Sequence, residues 1–79
     1  MFYVYVIKNS KGDIYKGHSD NIQKRISEHN RGDTKSTRKA NDWKLKYSEE
    51  FDTRKEAIKR EKYLKSAAGR RFLKEKLVS

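Results

Sequence analysis

Five residues of this 79-residue chain have types and spacings suited to chemistry on a phosphate: Tyr5, Tyr15, Arg25, His29 and Glu61. An arginine guanidinium grips phosphate oxygens and stabilises charge that develops on them in a transition state. His29 lies one helical turn beyond Arg25, and an imidazole is a competent acid or base at neutral pH. A tyrosine hydroxyl can take a proton from water, but its ordinary pKa near 10 makes it a poor base unless cations or a metal favour the phenolate. Arg25 and His18 are candidate cations for that task. Glu61 is the only carboxylate on the inward stripe of its helix, where a charge is costly unless paired or bound to metal. One carboxylate completed by water and phosphate oxygens suits a single Mg²⁺ or similar hard cation, which polarises a phosphate and stabilises a leaving oxygen. Gly17 and His18 are candidate phosphate contacts, the glycine because it permits close approach of backbone. Each residue also has a plain structural reading: hairpin tyrosines pack, helix-edge arginines are solvated, and a rim glutamate pairs with Arg25, Arg60 or a tyrosine hydroxyl.

The elements needed to gather these residues follow from the pattern. Residues 2–8, FYVYVIK, are β-branched and aromatic and read as a strand. Residues 9–13 form a turn with Gly12 in a left-handed position, and 13–17 return as a second strand. A three-residue loop, Ser10-Lys11-Gly12, places Asn9 opposite Asp13, Ile7 opposite Tyr15 and Tyr5 opposite Gly17. Tyr5 and Tyr15 are then diagonal neighbours on one face. Asp20 or Ser19 caps a helix that runs to about Asn30 and ends at Gly32. Its stripe is Ile22, Ile26 and His29, with Arg25 at its edge, which sets a guanidinium and an imidazole side by side at the rim of the buried face. Residues 31–42 are polar and without period, which predicts a basic, structureless, mobile loop. Trp43, Leu45 and Tyr47 alternate with polar residues in a third strand that ends near Phe51. Asp52 or Thr53 caps a second helix over about 54–66, whose inward stripe is Ala57, Ile58, Glu61 and Leu64. Gly69 breaks it, and a short helix over 70–77 follows, anchored by Phe72, Leu73 and Leu77. The order ββαβαα predicts an α/β (α+β) fold: a small three-stranded antiparallel sheet flanked by helices, one domain over residues 1–79.

Composition narrows the function classes. The chain has no cysteine, which excludes disulfides and thiolate zinc sites, and only two histidines, which argues against an all-protein structural zinc. No apolar run reaches the roughly 20 residues of a membrane span, and the N-terminus leads straight into a strand, so a soluble cytoplasmic protein is expected. Lys+Arg number 21 against 11 Asp+Glu, a net +10. Ten basic and three acidic residues lie between Arg54 and Lys76, a net +7 that leaves +3 elsewhere. Charge of that sign on one side favours a polyanion, above all nucleic acid.

Taken in order, the motifs resemble the GIY-YIG endonuclease superfamily, in particular its small stand-alone, excinuclease-subunit-like members. Tyr3-Val4-Tyr5 matches the first motif, Tyr15-Lys16-Gly17 the second, Arg25 and His29 the helix motif, and the segment EAIKRE ending at Glu61 the metal-binding glutamate. The resemblance covers nearly the whole chain and implies hydrolysis of DNA phosphodiesters with one divalent ion, Mg²⁺ or Mn²⁺, held at Glu61. It also implies that a tyrosine acts as general base, Arg25 stabilises phosphate, and His29 assists proton transfer or orients the tyrosines. Tyr5 is the preferred base with Tyr15 positioning water or phosphate, and the reverse assignment stays open. The expected DNA contacts are Lys16, Gly17, His18, Arg38, Lys39, Arg60, Lys65 and Arg70. A role in DNA repair or recombination is implied, structure-selective and with other repair proteins as candidate partners, and a monomer is favoured. A silent nucleic-acid-binding module of the same fold is the alternative. This chain departs from the pattern at Tyr3, where the first motif has glycine, at Lys16 in place of an apolar residue, and at His18. It also offers no asparagine after the glutamate helix.

Overall fold

The computed structural model of the chain describes residues 1–78. Strands β1 (Phe2–Lys8) and β2 (Ile14–Ser19) form a hairpin, followed by helix α1 (Ile22–Arg31) and a single 3₁₀ turn (Lys35–Thr37). Strand β3 (Lys44–Phe51) and helices α2 (Arg54–Leu64) and α3 (Ala67–Val78) complete the order ββαβαα. The sheet is antiparallel with strand order β2-β1-β3.

The hairpin turns as its sequence predicts. Gly12 takes a φ of 90°, and Asn9 N–H bonds the Asp13 carbonyl at 3.1 Å. Tyr5 therefore pairs with Gly17 and Ile7 with Tyr15, which puts both tyrosines on one face. As the central strand, β1 is buried on both sides from Val4 to Ile7. Val4 and Val6 pack against Ala57, Leu64 and Leu73 of α2 and α3. Tyr5 and Ile7 pack with Trp43 against Ile22 and Ile26 of α1. Directly paired residues share a face. Tyr15 and Gly17 thus stand on the α1 side of β2, while Lys16 and His18 stand on the α2 side.

Four local expectations are corrected. The cap of α1 is Asn21, whose side chain accepts from Lys24 N–H at 3.1 Å, while Ser19 bonds the Asn21 backbone ahead of it. Trp43, just ahead of β3, and Leu45 and Tyr47 within it do not share a face. The register shifts between Val6 and Ile7, which pair with Tyr47 and Leu45, so Lys46 is the extra residue of a bulge. Tyr47 joins the α2–α3 core, Trp43 joins the α1 core, and Leu45 is left exposed. Residues 31–42 are not structureless: the 3₁₀ turn buries Thr37 completely, and the Asn30 side chain clasps the Trp43 backbone with bonds of 2.7 and 3.1 Å.

The last correction concerns Gly69, which lies inside α3 and does not break a helix. The break falls at Lys65–Ser66, where Ser66 Oγ receives Gly69 N–H at 3.2 Å. A Cβ on Gly69 would stand 2.1 Å from the Tyr63 carbonyl oxygen and 2.4 Å from Leu64 Cα. Both are backbone atoms, so nothing nearby can step aside. Gly69→Ala is expected to cost about 3 kcal/mol of stability, measured by denaturant unfolding, because overpacking against backbone forces the α2–α3 corner apart. A loss below about 0.5 kcal/mol would mean that the corner yields freely.

Candidate active site

Strand β2 is an edge of the sheet, and the candidate residues gather around it from both faces. On the α1 side, the Tyr5 hydroxyl lies 2.8 Å from His29 Nε2. The Tyr5 and Tyr15 ring centroids are 6.3 Å apart, and Tyr15 lies 4.8 Å from the His29 ring. Tyr5 is buried, whereas Tyr15 is half-exposed. Gly17 makes this arrangement possible. A Cβ there would stand 2.6 Å from the Tyr5 hydroxyl oxygen and 3.1 Å from the Tyr15 ring. Gly17 is itself buried, and the group that closely approaches it is Tyr5.

His29 is not at a rim. It is fully buried, with Nδ1 2.7 Å from Thr37 Oγ1 on its far side. Burial and the neighbouring Arg25 cation push its pKa below the ordinary value, outweighing the opposite pull of Glu28, so the ring is neutral at pH 7. Burial also pushes the Tyr5 hydroxyl up to about 12, although Arg25 interacts with it and favours the phenolate. Arg25 is half-exposed and bonds Glu28 through Nη1 at 2.9 Å. A guanidinium carries five donors, so the pair with Glu28 leaves capacity for a phosphate.

On the other face, Glu61 accepts from His18 Nδ1 at 2.6 Å and from Lys65 Nζ at 2.7 Å. Burial opposes its charge, but the bonds from Lys65 and His18 prevail and hold the carboxyl below its ordinary pKa. Its charge also raises the Tyr5 pKa, as the smallest of the influences on that hydroxyl. Lys16 lies close enough to Arg70 and Lys65 for their charges to lower its own pKa, after burial as the main cause. Lys16, Lys65 and Arg70 thus form a cationic patch beside Glu61.

Among the described residues, no group of three or more His, Cys, Asp or Glu side chains lies together. A metal here would have one protein carboxylate, with water and phosphate oxygens as the other ligands, which suits Mg²⁺ better than zinc or calcium. The Glu61 side chain is 16 % exposed and ionised, and its partner Lys65 is 53 % exposed on a flexible stem that can swing aside. Glu61 therefore fits a hard divalent ion.

Three expected DNA contacts lie away from this gathering. Arg60 is committed to Glu49 of β3 by two bonds, of 2.9 and 3.1 Å, and its guanidinium stacks on Tyr63 and Phe72. Arg38 is exposed and bonds the Gly32 carbonyl, and Lys39 lies 3.7 Å from Asp13 at the hairpin turn. Thr37 is the residue that the sequence reading missed. Its only signal was a small hydroxyl residue in a polar loop, eight positions after a histidine.

Comparison with known proteins decides the family. The model of the GIY-YIG catalytic domain matches residues 1–75. The chain belongs to the GIY-YIG family. It is 40% identical over 73 residues to a UPF0213 protein of Staphylococcus saprophyticus, covering 91% of this chain and 89% of that one. A UPF0213 protein of Halobacterium salinarum is 42% identical over 66 residues, 82% of this chain and 86% of the other. The solution NMR structure of the UPF0213 protein BH0048 from Bacillus halodurans superimposes with a TM-score of 0.56 at 28% identity, covering 95% of this chain and 84% of that one. GIY-YIG domains are nuclease domains and generally depend on a divalent metal, so DNA is the implied substrate. No helix of the described residues is long and apolar enough to cross a membrane.

Proposed function

We propose that this GIY-YIG chain is a metal-dependent DNA endonuclease whose site lies around the β2 edge. The observation that carries this reading is the Tyr5 hydroxyl. It is buried against His29 Nε2 at 2.8 Å and interacts with the Arg25 cation. A packing tyrosine needs neither of these neighbours.

In the reaction, Arg25 grips the scissile phosphate and stabilises the charge that builds on it. Water attacks phosphorus and gives its proton to the Tyr5 oxygen, while the proton of Tyr5 passes to His29 Nε2. A free phenolate is never required, which removes the obstacle of a pKa near 12. The P–O3′ bond breaks and the 3′ oxygen takes a proton from solvent, after which His29 returns its extra proton to Tyr5 as Tyr5 releases the water-derived one to solvent. Tyr15, more exposed than Tyr5, positions the water or the phosphate. Glu61 would hold one Mg²⁺ or Mn²⁺, which supplies charge to polarise the phosphate and to stabilise the leaving oxygen. Lys16, His18, Lys65 and Arg70 line the DNA backbone beside Glu61, and Arg38 and Lys39 extend the basic surface toward the hairpin turn. Such a site reads phosphates, not bases, so its selectivity is for DNA structure. That suits repair or recombination in the cytoplasm, alongside other repair proteins.

The test is cleavage of branched, nicked and plain duplex DNA with Mg²⁺ or Mn²⁺ and with chelator. Metal-dependent cutting is expected, with Arg25→Ala slower by about 10²- to 10³-fold. Tight, salt-sensitive binding without any cutting would instead identify a silent nucleic-acid-binding module.

A further inference from the structure

Thr37 touches no reacting atom and lies outside the motifs that pointed to the site, yet its side chain is fully buried against the general-base pair. Its hydroxyl has one proton and two partners. The Thr34 carbonyl oxygen, 3.3 Å away, can only accept, so both contacts are satisfied together only when the hydroxyl proton lies in that bond. His29 Nδ1, at 2.7 Å, is then the donor to Thr37 Oγ1. A neutral imidazole carries a single N–H. With the proton on Nδ1, Nε2 is bare, and the bond at 2.8 Å runs from the Tyr5 hydroxyl to the ring. Thr37 is itself fixed: Trp43 Nε1–H bonds its carbonyl at 2.9 Å, and its own N–H bonds Thr34 at 3.1 Å.

We propose that Thr37 is a positioning residue that holds His29 in the Nδ1–H tautomer, so that Tyr5 aims its proton into the ring and presents its oxygen lone pairs to water. The opposite tautomer would place an Nε2–H against the Tyr5 oxygen. That bond would occupy a lone pair needed by the water and would remove the acceptor for the tyrosine proton. The loop over residues 31–42 therefore acts on the chemistry through one hydroxyl. The catalytic consequence rests on the nuclease reading above, whereas the tautomer does not.

The experiment measures the ring nitrogens of nitrogen-15-labelled histidine by NMR, with His18→Gln used only to assign the two residues. In the wild type, His29 is expected to show a protonated Nδ1 in slow exchange and an unprotonated Nε2. Thr37→Val, which keeps the shape and removes the hydroxyl, is expected to lose that signature. Its kcat should fall about 100-fold with KM unchanged, and Thr37→Ser should restore both. A wild-type ring protonated on Nε2 overturns the proposal without any variant, as does a Thr37→Val protein that keeps the Nδ1 proton. Equal loss of kcat in Thr37→Ser and Thr37→Val also overturns it, because packing would then be the cause. If the tautomer is as stated and no DNA is cut, the nuclease reading fails and the Thr37–His29 assignment stands.

Discussion

Glu61→Ala is expected to reduce metal-supported cleavage by about 10³-fold while leaving DNA binding intact or slightly tighter. The described residues contain no group of three or more potential ligands, so on the proposed reading the ion would lose its one protein anchor with this carboxylate. Binding follows a different rule. The substitution removes a negative charge from beside Lys16, Lys65 and Arg70, and phosphate contacts by cations dominate affinity for DNA. Stability should change by about 1 kcal/mol or less. The partner Lys65 is half-exposed and screened by solvent, and His18 can turn to water. Glu61→Gln separates charge from shape and should behave like alanine in the cleavage assay, since an amide is a poor ligand for a hard cation. The measurements are single-turnover cleavage across a metal titration, and binding across a salt series. Cleavage retained within a few-fold of wild type would place the metal elsewhere and dissolve the assignment of Glu61.

Where the sequence was legible, a local rule acted without competition. The hairpin register followed from a three-residue loop closed by Gly12, and that alone put Tyr5 and Tyr15 on one face and Tyr5 opposite Gly17. The carboxylate on an inward helical stripe marked Glu61 in the same way, because an ionised group there needs partners, and it has two. Legibility ended where a tertiary contact overrode a local pattern. The alternation of Trp43, Leu45 and Tyr47 implied one face, but the bulge at Lys46 sends Trp43 to the α1 core and Tyr47 to the α2–α3 core. Gly69 resembled a helix terminator, yet its real constraint is the Tyr63 carbonyl from the preceding helix, which no periodicity reveals. Arg60 had the charge of a DNA contact, but Glu49, brought near by β3, holds it bidentate. Thr37 was hidden for the most general reason. A polar loop can be fixed as firmly as a helix when its polar groups are satisfied inside the protein, and composition does not tell the two cases apart.

Gly17→Ala is expected to lower kcat by about 100-fold or more in a protein that still folds, with the damage concentrated on Tyr5. The added Cβ would lie 2.6 Å from the Tyr5 hydroxyl oxygen and 2.8 Å from Cζ. These atoms end a side chain, so a shift is geometrically available, unlike at Gly69, where backbone blocks it. Tyr5 nevertheless has little room. Its ring is packed with Ile7 and Trp43 and bonded to His29, so the hydroxyl can retreat only by giving up the 2.8 Å bond. A cost of about 1–3 kcal/mol from overpacking is expected alongside the catalytic loss. A double-mutant cycle separates the two effects. Tyr5→Phe removes the hydroxyl and should cost about 10²-fold in kcat or more by itself. If Gly17 acts by making room for that hydroxyl, the Gly17→Ala/Tyr5→Phe double variant should cut hardly more slowly than Tyr5→Phe alone. Multiplying rate losses would mean that the glycine serves the site by another route, such as close approach of its backbone to the DNA. The cycle therefore decides whether the glycine of the second GIY-YIG motif acts here on the protein or on the substrate. Its geometry, with a tyrosine oxygen at the place where a side chain would begin, favours the protein.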